Sequence, residues 1–310
     1  MNLSELVDTY VDFKRALGAG FQTDERVLRA FSKALGDIDP AAVEPDHVSD
    51  FLKTNWHRKF AALTGFYRFA IARDYVSHSP LPTVARKCSP SFTPYIYTPG
   101  EVKALLASAR KVCVHARCPI DSECLRSLVA LLWGAGLRLS EGLNLTVSDV
   151  DLASGLLTIN DTKFYKSRLV PMDPRLSTLL SQYSEKRRLG RELESGNSFF
   201  FKTKRGTRLS RNSVQKYFRK LCTSAGVERH DGARYHPRLH DLRHTFAVSR
   251  VLHWYRQGGD VQHLLPHLST YLGHGSLAAT QRYLTTTPEV LREACRLFEN
   301  YALEVDHGKH

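Results

Sequence analysis

Apolar positions recur at helical spacing in the N-terminal part of the chain. Leu6, Tyr10, Phe13 and Leu17 form one such set, and Val27, Phe31 and Leu35 repeat it after a break at Gly18 and Gly20. Pro40 and Pro45 interrupt the chain, and Val48, Phe51 and Leu52 then predict a third, short helix. The fourth helix has the clearest pattern. Phe60, Leu63, Tyr67 and Ile71 make one apolar stripe, with Arg58, Lys59, Arg68 and Arg73 around it. From Ser77 to Tyr97 the periodicity is lost, and Pro80, Pro82, Pro90 and Pro94 stand among polar residues. Proline fixes φ and blocks helix continuation, so this stretch reads as extended connection. It stops at Thr98-Pro99-Gly100-Glu101, where threonine at the cap, proline at the first helical position and glutamate three residues after the cap make a capping box.

The expected division is a helical module over 1–88, a linker over 89–97 and a second domain over 98–310. In that domain Leu156 to Ile159 and Arg168 to Met172 are strand-like and bracket the polar turn Asn160 to Ser167, a β-hairpin pattern. Ser213 to Ala225, His240 to Trp254 and Ser276 to Leu284 return to helical periodicity. After Tyr283 a further apolar stripe, Leu291, Ala294, Phe298 and Tyr301, predicts a C-terminal helix packed on its own domain or on a neighbour. The fold class is mainly α with a small antiparallel β-sheet.

Composition narrows the partners. The chain has 310 residues and 42% hydrophobic content, enough for packed cores in two domains. Its formal net charge of +13 implies a polyanionic partner, because such a field attracts phosphate backbones and releases their counterions. The longest apolar run, Leu128 to Leu137, is broken by two glycines and is about half of what a membrane span needs. The N-terminus MNLSELVDTY has no hydrophobic signal core, so a cytoplasmic protein without membrane attachment is expected. Six cysteines in a chain this long do not suggest a disulfide framework. Cys113, His115, Cys118 and Cys124 lie close together but lack a second ligand pair of the usual form, so a thiol-bearing helix connection is preferred over a metal site.

Several residues of the second domain could carry chemistry. His240 and Arg243 are three apart, so on a helix one phosphate could meet both. Taken alone, such a pair is usually a solvated charged face. Arg138 follows Gly134-Ala135-Gly136, small residues that permit a tight turn and deep placement of the next side chain, and Ser140 and Glu141 suit a helix start. An arginine fork matches two phosphate oxygens, and two arginines would neutralise charge building on a five-coordinate phosphorus. Gly273-His274-Gly275 suits a turn, with Ser276 as cap for the segment that carries Tyr283. A tyrosine at helical spacing is most often core, and its company makes the nucleophile reading the stronger one. A free tyrosine has a pKa of about 10, so attack at neutral pH needs a base, for which His240 is the candidate. His274 would donate to the phosphate or share that role. Lys163 on the hairpin tip could protonate the leaving oxygen, with Lys166 as competitor.

The boxes GLRLSE, TKFYKSRLVP, HDLRHTFA and LGHGSLAATQRY together resemble the tyrosine recombinase family, which includes phage integrases and the Xer proteins. NWHRKFAALTGFYRFAIARDYVSHSPL is similar to the last helix of that family's SAM-like core-binding domain, so the resemblance covers nearly the whole chain. It implies a clamp of two domains around double-stranded DNA bearing specific recombination sites. Arg138, His240 and Arg243 would activate the scissile phosphate, Lys163 would be the general acid, His274 the second histidine and Tyr283 the nucleophile of a 3′-phosphotyrosyl link. One departure is the turn Lys163-Phe164-Tyr165-Lys166, which lacks the glycine often found there. The resemblance also implies a tetrameric synapse, with C-terminal segments exchanged between subunits, and accessory or companion recombinases in some systems.

Exchange of one phosphodiester for another roughly conserves bond energy, so no cofactor, metal or triphosphate is expected, and the chain carries neither a P-loop nor HExxH. Two alternatives share parts of this pattern. A type IB topoisomerase-like enzyme would nick and reseal one duplex, and an architectural DNA-binding protein would keep the basic cleft without needing a nucleophile.

Overall fold

The computed structural model describes residues 1–18, 20–84, 86, 93–114, 118–162, 166–188, 195–233, 235–274, 276–285, 290–293 and 295, with backbone alone at 161, 162, 166 and 282–285. It divides into two compact units, one whose continuous part is Met1–Phe92 and one that begins at Thr93.

The first unit contains α1 (Leu3–Ala16), α2 (Gln22–Leu35), α3 (Pro45–Phe51) and α4 (Trp56–Ile71). A capping box starts α1: Asn2 Oδ1 accepts the Glu5 amide at 2.9 Å and the Glu5 carboxylate accepts the Asn2 amide at 2.9 Å. The core joins Leu6, Tyr10, Leu28, Phe31, Leu63, Phe66 and Tyr67. The apolar stripes sit slightly off their expected positions. On α4 the buried face is Leu63, Phe66, Tyr67 and Ala70, while Ile71 ends the helix exposed. On α2, Leu28 is buried and Val27 only partly so, and Leu17 lies exposed beyond the end of α1. Close approach of α1 and α4 explains Gly65, where an added Cβ would come within 2.8 Å of the Tyr10 hydroxyl. Arg58, Arg68 and Arg73 face solvent, but Lys59 turns inward and donates to the Phe51 carbonyl at 2.6 Å.

The second unit opens with α5 (Pro99–Val112), which starts where the capping box predicts: the Thr98 hydroxyl accepts the Glu101 amide at 3.2 Å, and Glu101 accepts the Thr98 amide at 2.7 Å. Then follow α6 (Ser122–Gly134), α7 (Leu139–Asn144), β1 (Val150–Asp151), β2 (Leu156–Thr162), β3 (Lys166–Pro171), α8 (Pro174–Arg188), α9 (Arg211–Ala225), α10 (Leu239–Arg256), α11 (Val261–Leu272) and α12 (Ala278–Thr285). The sheet order is β1-β2-β3, with Val150 opposite Leu157 in an antiparallel pair. The hairpin strands run further toward the tip than expected, and β1 adds a third strand that a two-residue apolar pattern does not announce. Helix α6, apolar almost all round, lies between α5, α8 and α10, while α12 lies on α10 and α11. The apolar run from Leu128 thus lies mainly in this buried helix.

Among the described residues no helix is long and apolar enough to cross a membrane. Cys113, Cys118 and Cys124 are buried free thiols, and no group of three described His, Cys, Asp or Glu residues could hold a metal ion. His115, Ala294, Phe298 and Tyr301 lie outside the described residues, and Leu291 of the C-terminal stripe is exposed.

Candidate active site

Four widely separated segments meet in the second unit. The Gly136 turn takes φ of +62°, and a Cβ there would come within 2.5 Å of Phe246 Cδ1, so only glycine lets the chain pass under α10. Two residues later Arg138 occupies the cap position of α7, and Glu141 in the first turn accepts its amide at 2.9 Å. The same carboxylate accepts Arg138 Nη1 at 2.8 Å. Arg138 also reaches the end of α11, donating from Nη2 to the Gly273 carbonyl at 2.6 Å.

Arg243, on the inner face of α10, is only 2% exposed and is the largest fully buried side chain described. It donates from Nη1 to the Gly136 carbonyl at 2.9 Å and from Nη2 to the Leu272 carbonyl. Both predicted arginines are thus held by backbone carbonyls at the end of α11, and Arg243 also by the Gly136 carbonyl. Their forks are preorganised before any ligand arrives.

A third arginine joins them that sequence reasoning did not single out. Arg168 on β3 donates to both oxygens of Glu141, at 3.1 and 2.9 Å, and from Nε to the Tyr271 carbonyl at 2.8 Å. Glu141, with its side chain 8% exposed, is the anion around which Arg138, Arg168 and, at 3.8 Å, Arg243 gather. Burial alone would raise its pKa, but the bonds to Arg168 and Arg138 outweigh that and hold it below the usual carboxylate range. Among the described residues, three guanidiniums meet one carboxylate in this cluster, a surplus of two positive charges.

The histidines border this surplus. His240 stands on the first turn of α10, and the buried Asp241 beside it accepts the Arg238 amide at 2.9 Å and so fixes the start of the helix. Solvent reaches the His240 ring, yet the surrounding protein and then the charges of Arg243, Arg238, Arg138 and Arg211 push its pKa down to about 4. His274 follows Gly273, which ends α11 with φ of +64°. Burial first, then Arg243 and Arg138, lower it to about 4 as well. Its Nδ1 shares a 2.7 Å hydrogen bond with the hydroxyl of Thr280, a fully buried residue of α12. His244, one turn beyond His240 with ring centroids 4.7 Å apart, is pushed to about 3 by burial and then by His240 and the nearby arginines. All three imidazoles are therefore neutral at pH 7.

Of the six residues expected to form the site, Arg138, His240, Arg243 and His274 come together. The backbone of Tyr283 lies in α12, on the helix that Thr280 ties to His274 and that lies against α10. Its side chain, and Lys163 altogether, lie outside the described residues, while Lys166 opens β3.

The family model described as the phage integrase family matches residues 97–289. The chain is 33% identical over 313 residues to an integrase/recombinase of Sinorhizobium fredii, y4rB, covering 95% of this chain and 96% of that protein. It is 30% identical over 315 residues to the tyrosine recombinase XerC of Oceanobacillus iheyensis, with 95% and 96% covered. Among solved structures, the Tn1549 transposon integrase in complex with transposon right end DNA superposes with a TM-score of 0.69 at 14% identity, covering 97% of this chain and 100% of that one. A lambda integrase dimer bound to a COC′ core site gives a TM-score of 0.60 at 18% identity, covering 92% of this chain and 78% of that one.

Proposed function

The chain belongs to the phage integrase family of tyrosine site-specific recombinases, and we propose that its arginine hollow binds one DNA phosphodiester while Tyr283 attacks it. The observation that carries this reading is the convergence of Arg138, Arg243, His240 and His274 around a buried surplus of positive charge.

The forks of Arg138 and Arg243 take the non-bridging oxygens, whose charge grows as phosphorus becomes five-coordinate. The surplus of two charges matches a doubly charged transition state better than a singly charged diester, which favours the transition state over the ground state. His240 takes the phenolic proton. In the free protein its low pKa keeps it neutral and able to accept. The arriving phosphate offsets part of the arginine field, so its basicity rises when it is needed. His274, fixed by Thr280, donates to a phosphate oxygen. The bond from the Tyr283 oxygen to phosphorus forms, the bond to O5′ breaks, and a lysine of the β2–β3 connection, Lys163 before Lys166, protonates the departing oxygen. Rejoining reverses these steps with a new 5′ hydroxyl.

Residues 1–88 form the core-binding domain and 98–310 the catalytic domain, joined by the linker 89–97. Both bind duplex DNA at specific recombination sites in the cytoplasm, as a tetramer on two sites, with accessory or companion proteins where the reaction requires them. The topoisomerase-like and architectural alternatives are not favoured, since relatives matching 95% of the chain carry the names of recombinases. The test is a nicked suicide substrate carrying the native site, incubated in EDTA with wild type and with Tyr283→Phe. A covalent adduct in the wild type alone supports the assignment; an adduct in both, or one abolished by the chelator, refutes it.

A further inference from the structure

We propose that Arg168 is a positioning residue that holds the strand leading out of the lysine-bearing connection against the phosphate-binding arginines. The proposal deepens the mechanism above and rests on its assignment of leaving-group protonation to the β2–β3 connection.

Arg168 lies two residues after Lys166 and five after Lys163. Along β3, Leu169 faces solvent and Val170 is buried, so Arg168 shares the inward face of the strand with Val170. An arginine on that face needs partners, and it has them on two other elements. Its planar fork takes both oxygens of Glu141 on α7, and its Nε takes the Tyr271 carbonyl on α11. Among the described residues it is the one β3 side chain that hydrogen-bonds to a helix. The fit is close: a Cβ at Gly273 would come within 2.9 Å of Arg168 Nη1.

Glu141 also orients Arg138, and Gly273 precedes His274. One guanidinium therefore ties the strand that follows the lysines to the carboxylate that orients Arg138 and to the last turn of α11, which leads into His274. These described hydrogen bonds direct Arg168 at protein acceptors, so it acts through the placement of β3. If β3 shifts, the arginines still meet the phosphate, but the proton donor no longer meets O5′.

This separation makes the role measurable. An alkoxide needs its proton to leave, whereas a thiolate, whose acid has a pKa of about 8.5, leaves without one. Suicide substrates with O5′ or with sulfur at the 5′ bridging position are compared for Arg168→Ala, Arg168→Lys, Lys163→Ala and Lys166→Ala, scoring the rate of covalent adduct. Arg168→Ala is expected to slow cleavage of the oxygen substrate by roughly 100-fold, the effect of a displacement of about 1 Å. On the sulfur substrate most of that loss is recovered, the remainder being the share of the positive field that Arg168 itself supplies. Arg168→Lys keeps the charge without the two-oxygen fork, falls between the two on oxygen, and carries the same comparison if the alanine variant does not fold. A loss of equal size on both substrates, at unchanged DNA affinity, overturns the proposal. If sulfur rescues Arg168→Ala but neither lysine variant, the lysine assignment fails and the positioning role stands.

Discussion

The two units use positive charge in opposite ways. In the first, Arg29 pairs with Asp8 at 2.8 Å with both side chains about half exposed, and Arg15 pairs with Glu25 at 2.9 Å. Arg73 lies over the rings of Phe13 and Phe69 at 4.5 and 4.3 Å while facing solvent. Such cations are balanced or hydrated and cost little to keep. In the second unit Arg138, Arg168 and Arg243 crowd round a single carboxylate, and Arg243 is fully buried. Burying charge without full balance is costly, and removing one member of such a set typically costs about 3–5 kcal/mol. Exposed cations suit general attraction to a polyanion, whereas an under-neutralised buried cluster suits the proposed binding of a charge that arrives with the substrate.

The strongest challenge to that contrast is Arg243→Ala. Adduct formation should fall by about 1,000-fold with DNA affinity in a gel-shift assay largely kept. Equal losses in both would make Arg243 an ordinary binding residue. Next is Glu141→Gln, which leaves three guanidiniums without their anion. Urea denaturation should show a stability loss of about 3 kcal/mol, and an unchanged midpoint would mean that the cluster is not held by charge. Gly136→Ala places a methyl on Phe246 and forces an unfavourable φ. It should cost about 1–3 kcal/mol by the same assay and slow cleavage through the shifted Arg243 acceptor.

Acid gives a smaller, graded effect. His244 and His274 have folded pKa values of about 3 and about 4, below the ordinary 6.5, so between those limits the unfolded chain binds more protons. The urea midpoint should therefore hold above pH 6.5 and fall as pH drops toward 4, and His274→Gln should flatten part of that fall. A midpoint that rises on acidification would reverse the sign and remove burial, with the arginine field beside it, as the cause. The smallest effect is expected in the first unit. Arg73→Ala should weaken DNA binding uniformly across sequences and reduce the salt slope by about 1, with the cleavage rate of bound DNA unchanged.

Features encoded locally are legible in the sequence. The start of α5 follows from four adjacent residues, and the spacing of His240 and Arg243 places both on α10 as expected. The Gly136 and Gly273 turns were readable because glycine at such places signals unusual φ. What escaped was tertiary. Arg168 and Glu141 are 27 residues apart, and neither has local company that marks the pair. A usable clue was present in the strand period, which puts Arg168 on the same face as Val170. Helix α11 was missed because Pro266 lies inside it, and β1 because two residues are too few to show alternation. The displaced stripe of α4 reflects neighbours that periodicity does not count.

The account stands on the phenol of Tyr283 being the group that the arginine hollow serves. Adduct trapped on suicide DNA, trimmed by nuclease and mapped by mass spectrometry, should carry its nucleotide on the peptide containing Tyr283, joined through a 3′ phosphate. A nucleotide found on any other residue, or joined through a 5′ phosphate, would contradict it.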